Sequence, residues 1–501
     1  MDKVVKFFKD KTSCVLELFA KNEKVFLWIF FGLFVILTTL GILTHEPWLD
    51  EAQAWLIAQD LSLVEMFKHL KYEGHLCLWF LALMPSAKLN LPYPLPMLIT
   101  NVVFIWGAVY VLLMKSPFHP VWRIMMAFSM PLIYQYGVIA RPYAMGVMFL
   151  FLLAYFYKDK LKRPYLYATL IILCANTSAM ALVGAIAFGL LFIYEYVKSD
   201  KDFWKKREFH ILLGMALFCV AFIGMQLLGA GKQIEVYTAM YLRESNLIFL
   251  FFKILHQGLF YGTYMDFMYI TPFLFLIPAW KVFRQSPKVA FFFLFNFVSL
   301  ILIFMFAYNG YKWHHMFFFV YLIISFWLLH YECSDFRTGK SYKLFTLILN
   351  LALVISISQS NLYLSVDINE IVSSCKQYAQ AIAQDKNLKG QNLVICSEGL
   401  SAVVPYLRMY GIEAYDCING KKASFFDRKT GEPCTLGPER LTPEYFKRFE
   451  DKEIYLLFKY RSAERIKTDY YEILPGYCLQ PARLDVAPFC VVQMKKKYKD
   501  E

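Results

Sequence analysis

Eleven mostly apolar runs within the first 360 residues leave this chain little alternative to crossing a membrane repeatedly. A membrane-spanning helix needs roughly 20 predominantly apolar residues. The runs lie at 25–44, 95–114, 121–138, 143–157, 164–178, 180–197, 210–229, 267–283, 289–307, 316–331 and 343–360. The composition agrees, with 58% hydrophobic residues where soluble domains average roughly 45–50%. In a soluble protein the formal net charge of +13 would suggest nucleic acid. Here the basic residues sit in short loops between apolar runs, so they point to membrane orientation and lipid headgroups. Lys3, Lys6, Lys9 and Lys11 precede the first run, which has no small-residue cleavage site. It reads as an uncleaved anchor with its N-terminus inside.

One segment decides the topology. Residues 76–90, LCLWFLALMPSAKLN, are apolar but hold Pro85 and Lys88. If they cross, every later loop changes sides. If they lie along the surface, the inner loops collect Lys115 and Arg123; Lys158, Lys160, Lys162 and Arg163; Lys198, Lys201, Lys205, Lys206 and Arg207; Lys281, Arg284 and Lys288; and Arg337, Lys340 and Lys343. That basic bias favours an interfacial helix at 76–90, and likewise at 246–264. The expected fold is therefore a polytopic α-helical membrane protein with eleven spans, N-terminus inside and C-terminus outside.

The outer loops then gather the chemistry. His45-Glu46-Pro47-Trp48-Leu49-Asp50-Glu51 follows the first span, and ionisable groups at a membrane edge are functional candidates. Asp50 is a candidate general base, since a group that deprotonates a hydroxyl must lie within hydrogen-bond reach of it. Glu51 is a candidate partner; the alternative for both is a solvated loop charge or a helix cap. In Tyr72-Glu73-Gly74-His75, Gly74 permits a turn. His75 is placed to orient an acceptor, assist the base or ligate a metal, against a purely structural role, and Glu73 is a candidate acceptor contact. Arg141-Pro142-Tyr143 opens a span, where Pro suits the first turn and Arg141 can fork onto a phosphate or snorkel to headgroups. In Tyr311-Lys312-Trp313-His314-His315, the cations Lys312, His314 and His315 suit phosphate oxygens. Tyr143, Tyr311 and Trp313 suit a sugar or isoprenoid, against an interfacial aromatic belt. Adjacent histidines diverge on a helix, so a divalent metal here is the weaker reading.

From residue 361 to 501 the apolar density falls. Apolar residues Ile368, Ile371, Val372, Cys375, Tyr378, Ala379 and Ile382 have amphipathic-helix spacing. Strands are expected at 392–396 and 453–458, with a helix near 400–410 between them, giving a small α/β domain outside the membrane. The chain thus divides into 1–360, with 45–94 as its first outer loop, and 361–501. Six cysteines, Cys375, Cys396, Cys417, Cys434, Cys478 and Cys490, fall in the outer unit. An oxidising compartment makes disulfides the expectation, Cys478 with Cys490 and Cys417 with Cys434 by proximity; the alternative is buried free thiols. There is no Cys-x-x-Cys and no repeat.

An acidic pair after the first span, Gly74-His75-Leu76-Cys77-Leu78-Trp79 closing the first loop, Arg141-Pro142-Tyr143-Ala144 and the late His-bearing segment resemble the C-superfamily of membrane glycosyltransferases. The likeness covers about residues 25–330 and is nearest the protein O-mannosyltransferases and the bacterial aminoarabinose lipid A transferase. The family's Gly-His-Pro-Pro-Leu-Tyr lacks both prolines here. The resemblance implies an inverting glycosyltransferase of a bacterial inner (plasma) membrane, using a polyprenyl-phosphate-linked sugar donor and a lipid, glycan or protein acceptor. It implies Asp50 as base and Arg141 and Lys312 at the donor phosphate. Many members need no metal, while the oligosaccharide-transferring relatives use a divalent one. The competing readings are a lipid-linked glycan transporter, for which the chain shows no inverted halves, and a non-catalytic scaffold, which leaves Asp50 and Arg141 unexplained.

Overall fold

The computed structural model describes residues 22–228, 246–260, 267–337, 339–370, 373–388, 390–395, 401–416, 420–426, 454–459, 471–478 and 489–496. Among the described residues, seven helices are long and apolar enough to cross a bilayer: Glu23–Thr44, Leu95–Lys115, Ala179–Ser199, Arg207–Leu227, Pro287–Ala307, Lys312–Glu332 and Lys340–Asn369. The other expected spans appear as shorter helices, among them Tyr143–Phe156, Pro164–Ala175 and Thr271–Phe283. The first helix shows why lipid is required. Val25, Ile29, Leu33, Ile36, Leu40 and Leu43 form an exposed stripe, while Leu27, Phe34, Thr38, Gly41 and Ile42 on the other face are buried. An exposed apolar stripe of that length is stable only in hydrocarbon. The helix Phe317–Glu332 is instead enclosed along nearly all its length. Its Tyr321 hydroxyl donates to the Met180 carbonyl and accepts the Gly184 amide at 2.9 Å. A Cβ on Gly184 would stand 2.6 Å from the Tyr321 ring, so only glycine admits that approach.

The expected span 121–138 is not one helix. It stops at Ala127 and resumes as a π-helical turn over Pro131–Gln135. Pro131 has no N–H to return to the Ala127 carbonyl. Backbone groups freed within a membrane must find partners from neighbouring helices. The Met130 amide donates to Ser356 Oγ at 2.8 Å, Ser360 Oγ donates to the Phe128 carbonyl at 3.0 Å, and Asn101 Nδ2 donates to the Tyr136 carbonyl at 2.9 Å. The expected last span, 343–360, likewise continues as helix to Asn369.

Residues 76–90 do form a helix, Cys77–Lys88, and both its ends stay at one end of the bundle. His75 before it contacts Arg141, while Lys88 Nζ donates to the Gln59 carbonyl at 2.8 Å and Gln59 Nε2 to Asn90 Oδ1 at 3.0 Å after it. It therefore runs beside the helix Leu49–Asp60 instead of crossing. The opposite ends of the long helices meet through basic loops. Lys160 and Lys288 both bind Glu195 at 2.7 Å, and Lys288 also binds Glu332 at 3.1 Å. The basic loops thus lie together at the end away from Asp50 and Arg141, as the charge bias requires.

Beyond the last long helix, Cys375–Gln384 presents Cys375, Tyr378, Ala379 and Ile382 to a core. The five described strands are β1 (Asn392–Ile395), β2 (Ala414–Asp416), β3 (Ile454–Lys459), β4 (Tyr471–Cys478) and β5 (Phe489–Lys496). They form one mixed sheet in the order β2-β1-β3-β5-β4, parallel from β2 to β3 and antiparallel beyond. This α/β unit sits over the Leu49–Asp60 helix. Arg408 forks onto Asp60 with two contacts of 2.8 Å, and Gln53 pairs with both the amide and the carbonyl of Phe426 at 2.8 Å. The disulfide expectation is not supported. Among the described residues Cys375 is a buried free thiol. Strand register sets Cys478 opposite Cys490, and Cys396, Cys417 and Cys434 lie outside the described residues.

The two-ended arrangement predicts labelling. In intact cells, a cysteine replacing the exposed Lys422 should react with a membrane-impermeant thiol reagent above the background of the native cysteines. One replacing the exposed Lys162 should react only after permeabilisation. The reverse pattern would invert the orientation.

Candidate active site

The site is assembled around a buried carboxylate. The helix Leu49–Asp60 carries Asp50 and Glu51 in its first turn, where the helix dipole favours anions. Glu51 Oε2 accepts its own Trp48 amide at 3.2 Å, the reach-back half of a capping box. Its Oε1 accepts the Ala140 amide at 2.7 Å. His45 Nε2 lies 3.0 Å from Oε2, and His45 Nδ1 lies 3.2 Å from Asp367 Oδ2. The side chains of Glu51 and Asp367 are 0% exposed. Burial opposes the His45 charge, but Glu51 and Asp367 outweigh it and raise the pKa from 6.5 to about 10. One imidazolium therefore joins the end of the first helix, the start of the Leu49–Asp60 helix, the 140–142 loop and the end of the last long helix.

Tying down Ala140 fixes Arg141 beside it. The Arg141 guanidinium is salt-bridged through Nη1 to Asp50. Nη2 donates to His75 Nε2 at 3.0 Å and to the Tyr143 hydroxyl at 3.3 Å. Side-chain exposure is 8% for Arg141 and 25% for Asp50, so the acid keeps the open side of the pair. Burial opposes the Arg141 charge, but Asp50 more than compensates and holds the guanidinium protonated. His75 is brought in by the turn at Gly74, whose φ of +67° suits glycine. Its backbone forms an antiparallel bridge with Ser178.

His314 completes the cluster. The Tyr311 amide donates to its Nδ1 at 2.9 Å, and its Nε2 lies 2.7 Å from the Tyr143 hydroxyl. Beside it, Tyr311 stacks on Trp313 at 4.8 Å, and Trp313 meets Trp48 edge-on at 5.3 Å. Tyr311 and Lys312 are exposed and Trp313 is half-buried.

The structure thus brings together Asp50, His75, Arg141, Tyr143 and His314, with Tyr311, Lys312 and Trp313 at the rim. It does not bring in the rest. Glu51 is enclosed in the framework. Glu73 is buried and accepts Gln53 Nε2 at 3.0 Å and pairs with His69 at 2.9 Å. His315 turns the other way, to Gln257 at 2.9 Å and the Asn309 carbonyl at 3.0 Å, as neighbours on a helix must. Sequence reasoning missed His45 and Asp367 as partners of Glu51. Asp367 was legible only as a carboxylate within an apolar stretch. Among the described residues, no group of three or more His, Cys, Asp and Glu is placed to hold a metal.

Helical bundle, first-loop helices and appended α/β unit give the chain a fold shared with solved structures. The particular likeness is to ArnT from Cupriavidus metallidurans, solved bound to undecaprenyl phosphate, with a TM-score of 0.54 and 12% identity over 93% of this chain and 98% of that one. The apo form of the same protein gives a TM-score of 0.53 with 11% identity over 94% and 98% of the two chains. No protein-family model and no curated protein sequence matches the chain.

The His45 linkage yields a pH prediction. Its folded-state pKa lies above the unfolded one, so its stabilisation is complete below about pH 6.5 and is lost as pH rises through about 10. Thermal unfolding of the detergent-solubilised protein should show stability falling across that window, and His45→Gln should flatten the fall. Parallel pH profiles for the two proteins would refute the assignment. Glu51→Ala leaves the buried imidazolium with Asp367 alone and strands the Trp48 and Ala140 amides. It should cost about 3–5 kcal/mol, read as a lowered Tm in the same assay.

Proposed function

We propose that the protein is an inverting glycosyltransferase that moves a sugar from a polyprenyl phosphate to a lipid, glycan or protein acceptor. The observation that carries this reading is the pairing of Asp50 with a buried, charged Arg141 at the mouth of the bundle. In a single displacement the acceptor hydroxyl attacks the anomeric carbon while the bond from that carbon to the phosphate oxygen breaks. Asp50 takes the hydroxyl proton. The leaving phosphate keeps the bonding electron pair and needs no proton, so one base suffices. As charge grows on that phosphate, Arg141 turns from Asp50 to meet it, with Lys312 at the rim. Preorganised cations stabilise that developing charge more than the ground state. The same turn frees Asp50 to act as base.

Supporting features lie around this pair. The Trp48–Trp313–Tyr311 aromatic cluster offers faces for a sugar or isoprenoid. The ArnT structure of the same fold is bound to undecaprenyl phosphate. The polar groups cluster at one end of the bundle, where a transporter would carry them to the midplane. Glu51, Glu73 and His315 position the framework. On this reading the protein resides in a bacterial inner membrane, with residues 361–501 on the outer face.

Asp50→Asn keeps an oxygen for Arg141 and removes the base. Transfer should fall by roughly 10²–10⁴-fold while donor binding survives. Arg141→Ala should weaken donor binding by about 1.5–3 kcal/mol. Near-normal turnover in folded Asp50→Asn protein would remove Asp50 from the mechanism.

A further inference from the structure

The hydrogen-bond inventory of Tyr143 leaves one group with a single available use. A phenolic oxygen has two acceptor sites and one proton to donate. The Tyr311 amide donates to His314 Nδ1 at 2.9 Å, so that nitrogen carries no proton and the neutral ring holds its hydrogen on Nε2. His314 Nε2–H therefore donates to the Tyr143 oxygen at 2.7 Å. Arg141 Nη2–H donates to the same oxygen at 3.3 Å. Both acceptor sites are filled, and the Tyr143 O–H is compelled to act as a donor. The Arg141 guanidinium also lies over the Tyr143 ring, 5.5 Å from its centroid, so this donor shares one locus with the cation.

We propose that Tyr143 is a phosphate-binding donor that acts beside Arg141, and that His314 is the positioning residue that holds Tyr143 in its donating direction. This rests on the glycosyl-transfer reading above and deepens it. It replaces the expectation that His314 meets the phosphate as a cation. His314 is buried and its Nδ1 is committed to a backbone amide, so it acts as a neutral relay that sets which way the tyrosine proton points. When Arg141 turns from Asp50 to the phosphate, the Tyr143 O–H lies beneath it and meets a second phosphate oxygen. An uncharged donor there adds directionality that a guanidinium alone lacks.

The test measures the affinity of polyprenyl phosphate for the purified full-length protein in detergent, read by intrinsic tryptophan fluorescence, since Trp48 and Trp313 border the site. Tyr143→Phe removes the hydroxyl, the donor together with the acceptor of the His314 and Arg141 hydrogens, and should weaken binding roughly tenfold to a hundredfold. His314→Asn keeps an acceptor for the Tyr311 amide but cannot reach Tyr143, and should weaken binding similarly. His314→Gln places an N–H near the Nε2 position and should restore affinity toward wild type. A merely structural histidine would not discriminate between the two amides in that order. Equal affinity of wild type and Tyr143→Phe would overturn the donor role, and equal impairment by Asn and Gln would overturn the relay. Absence of binding by the wild-type protein would instead remove the donor-substrate reading on which the proposal rests.

Discussion

A buried carboxylate–imidazolium–carboxylate chain, Glu51 to His45 to Asp367, is the interaction on which the candidate-site end of this protein depends. Three charged groups enclosed within protein would be prohibitive if any one were unpaired, since an isolated buried charge costs many kcal/mol. Here His45 serves both acids, and the remaining Glu51 capacity goes to the Trp48 and Ala140 amides. Glu51's oxygens hold His45, the Trp48 amide and the distant Ala140 amide, and His45 in turn holds the distant Asp367. Asp50 is the next residue to Glu51 and Arg141 the next to Ala140. Anchoring one member of each neighbouring pair therefore sets Asp50 and Arg141 against each other.

The same logic of satisfying backbone groups explains why the third expected span is broken. Pro131 interrupts the ladder; Ser356 Oγ accepts the Met130 amide, and Ser360 and Asn101 donate to the Phe128 and Tyr136 carbonyls. The break converts a membrane helix into an irregular segment that ends at Ala140. Irregular backbone at membrane depth persists only where protein encloses it, and the buried surroundings of residues 131–138 meet that condition.

The apolar runs made the membrane class legible, and the basic residues alone divided the loops correctly between two ends. The structure bears this out at Lys160, Lys288 and Glu195 on one side and at Asp50 and Arg141 on the other. The course of Cys77–Lys88 beside the Leu49–Asp60 helix agrees with the same charge rule and could not be read from its hydropathy. The break at Pro131 was less visible, because a proline in an apolar run signals a kink without saying whether the helix resumes. Of the acidic pair, composition could not separate Asp50 from Glu51. Their fates differ because successive residues on a helix point in different directions, one toward the mouth and the other toward Ala140 and His45. In the outer unit, β1 and β3 were readable as apolar runs. β2 is only three residues long, and β4 carries Pro475 and Gly476 at its register shift, which hides its strand pattern.

On the proposed function, the Asp50–Arg141 pair separates a sugar from a phosphate at the membrane face. The most direct measurement incubates the purified wild-type protein with a panel of radiolabelled polyprenyl-phosphate sugars, with and without a membrane extract as acceptor source. Loss of label from one donor, with release of free polyprenyl phosphate and appearance of the sugar in inverted linkage on an acceptor, is the predicted result. Movement of an intact lipid-linked sugar across reconstituted vesicles, with no cleavage of any donor in the panel, would contradict it.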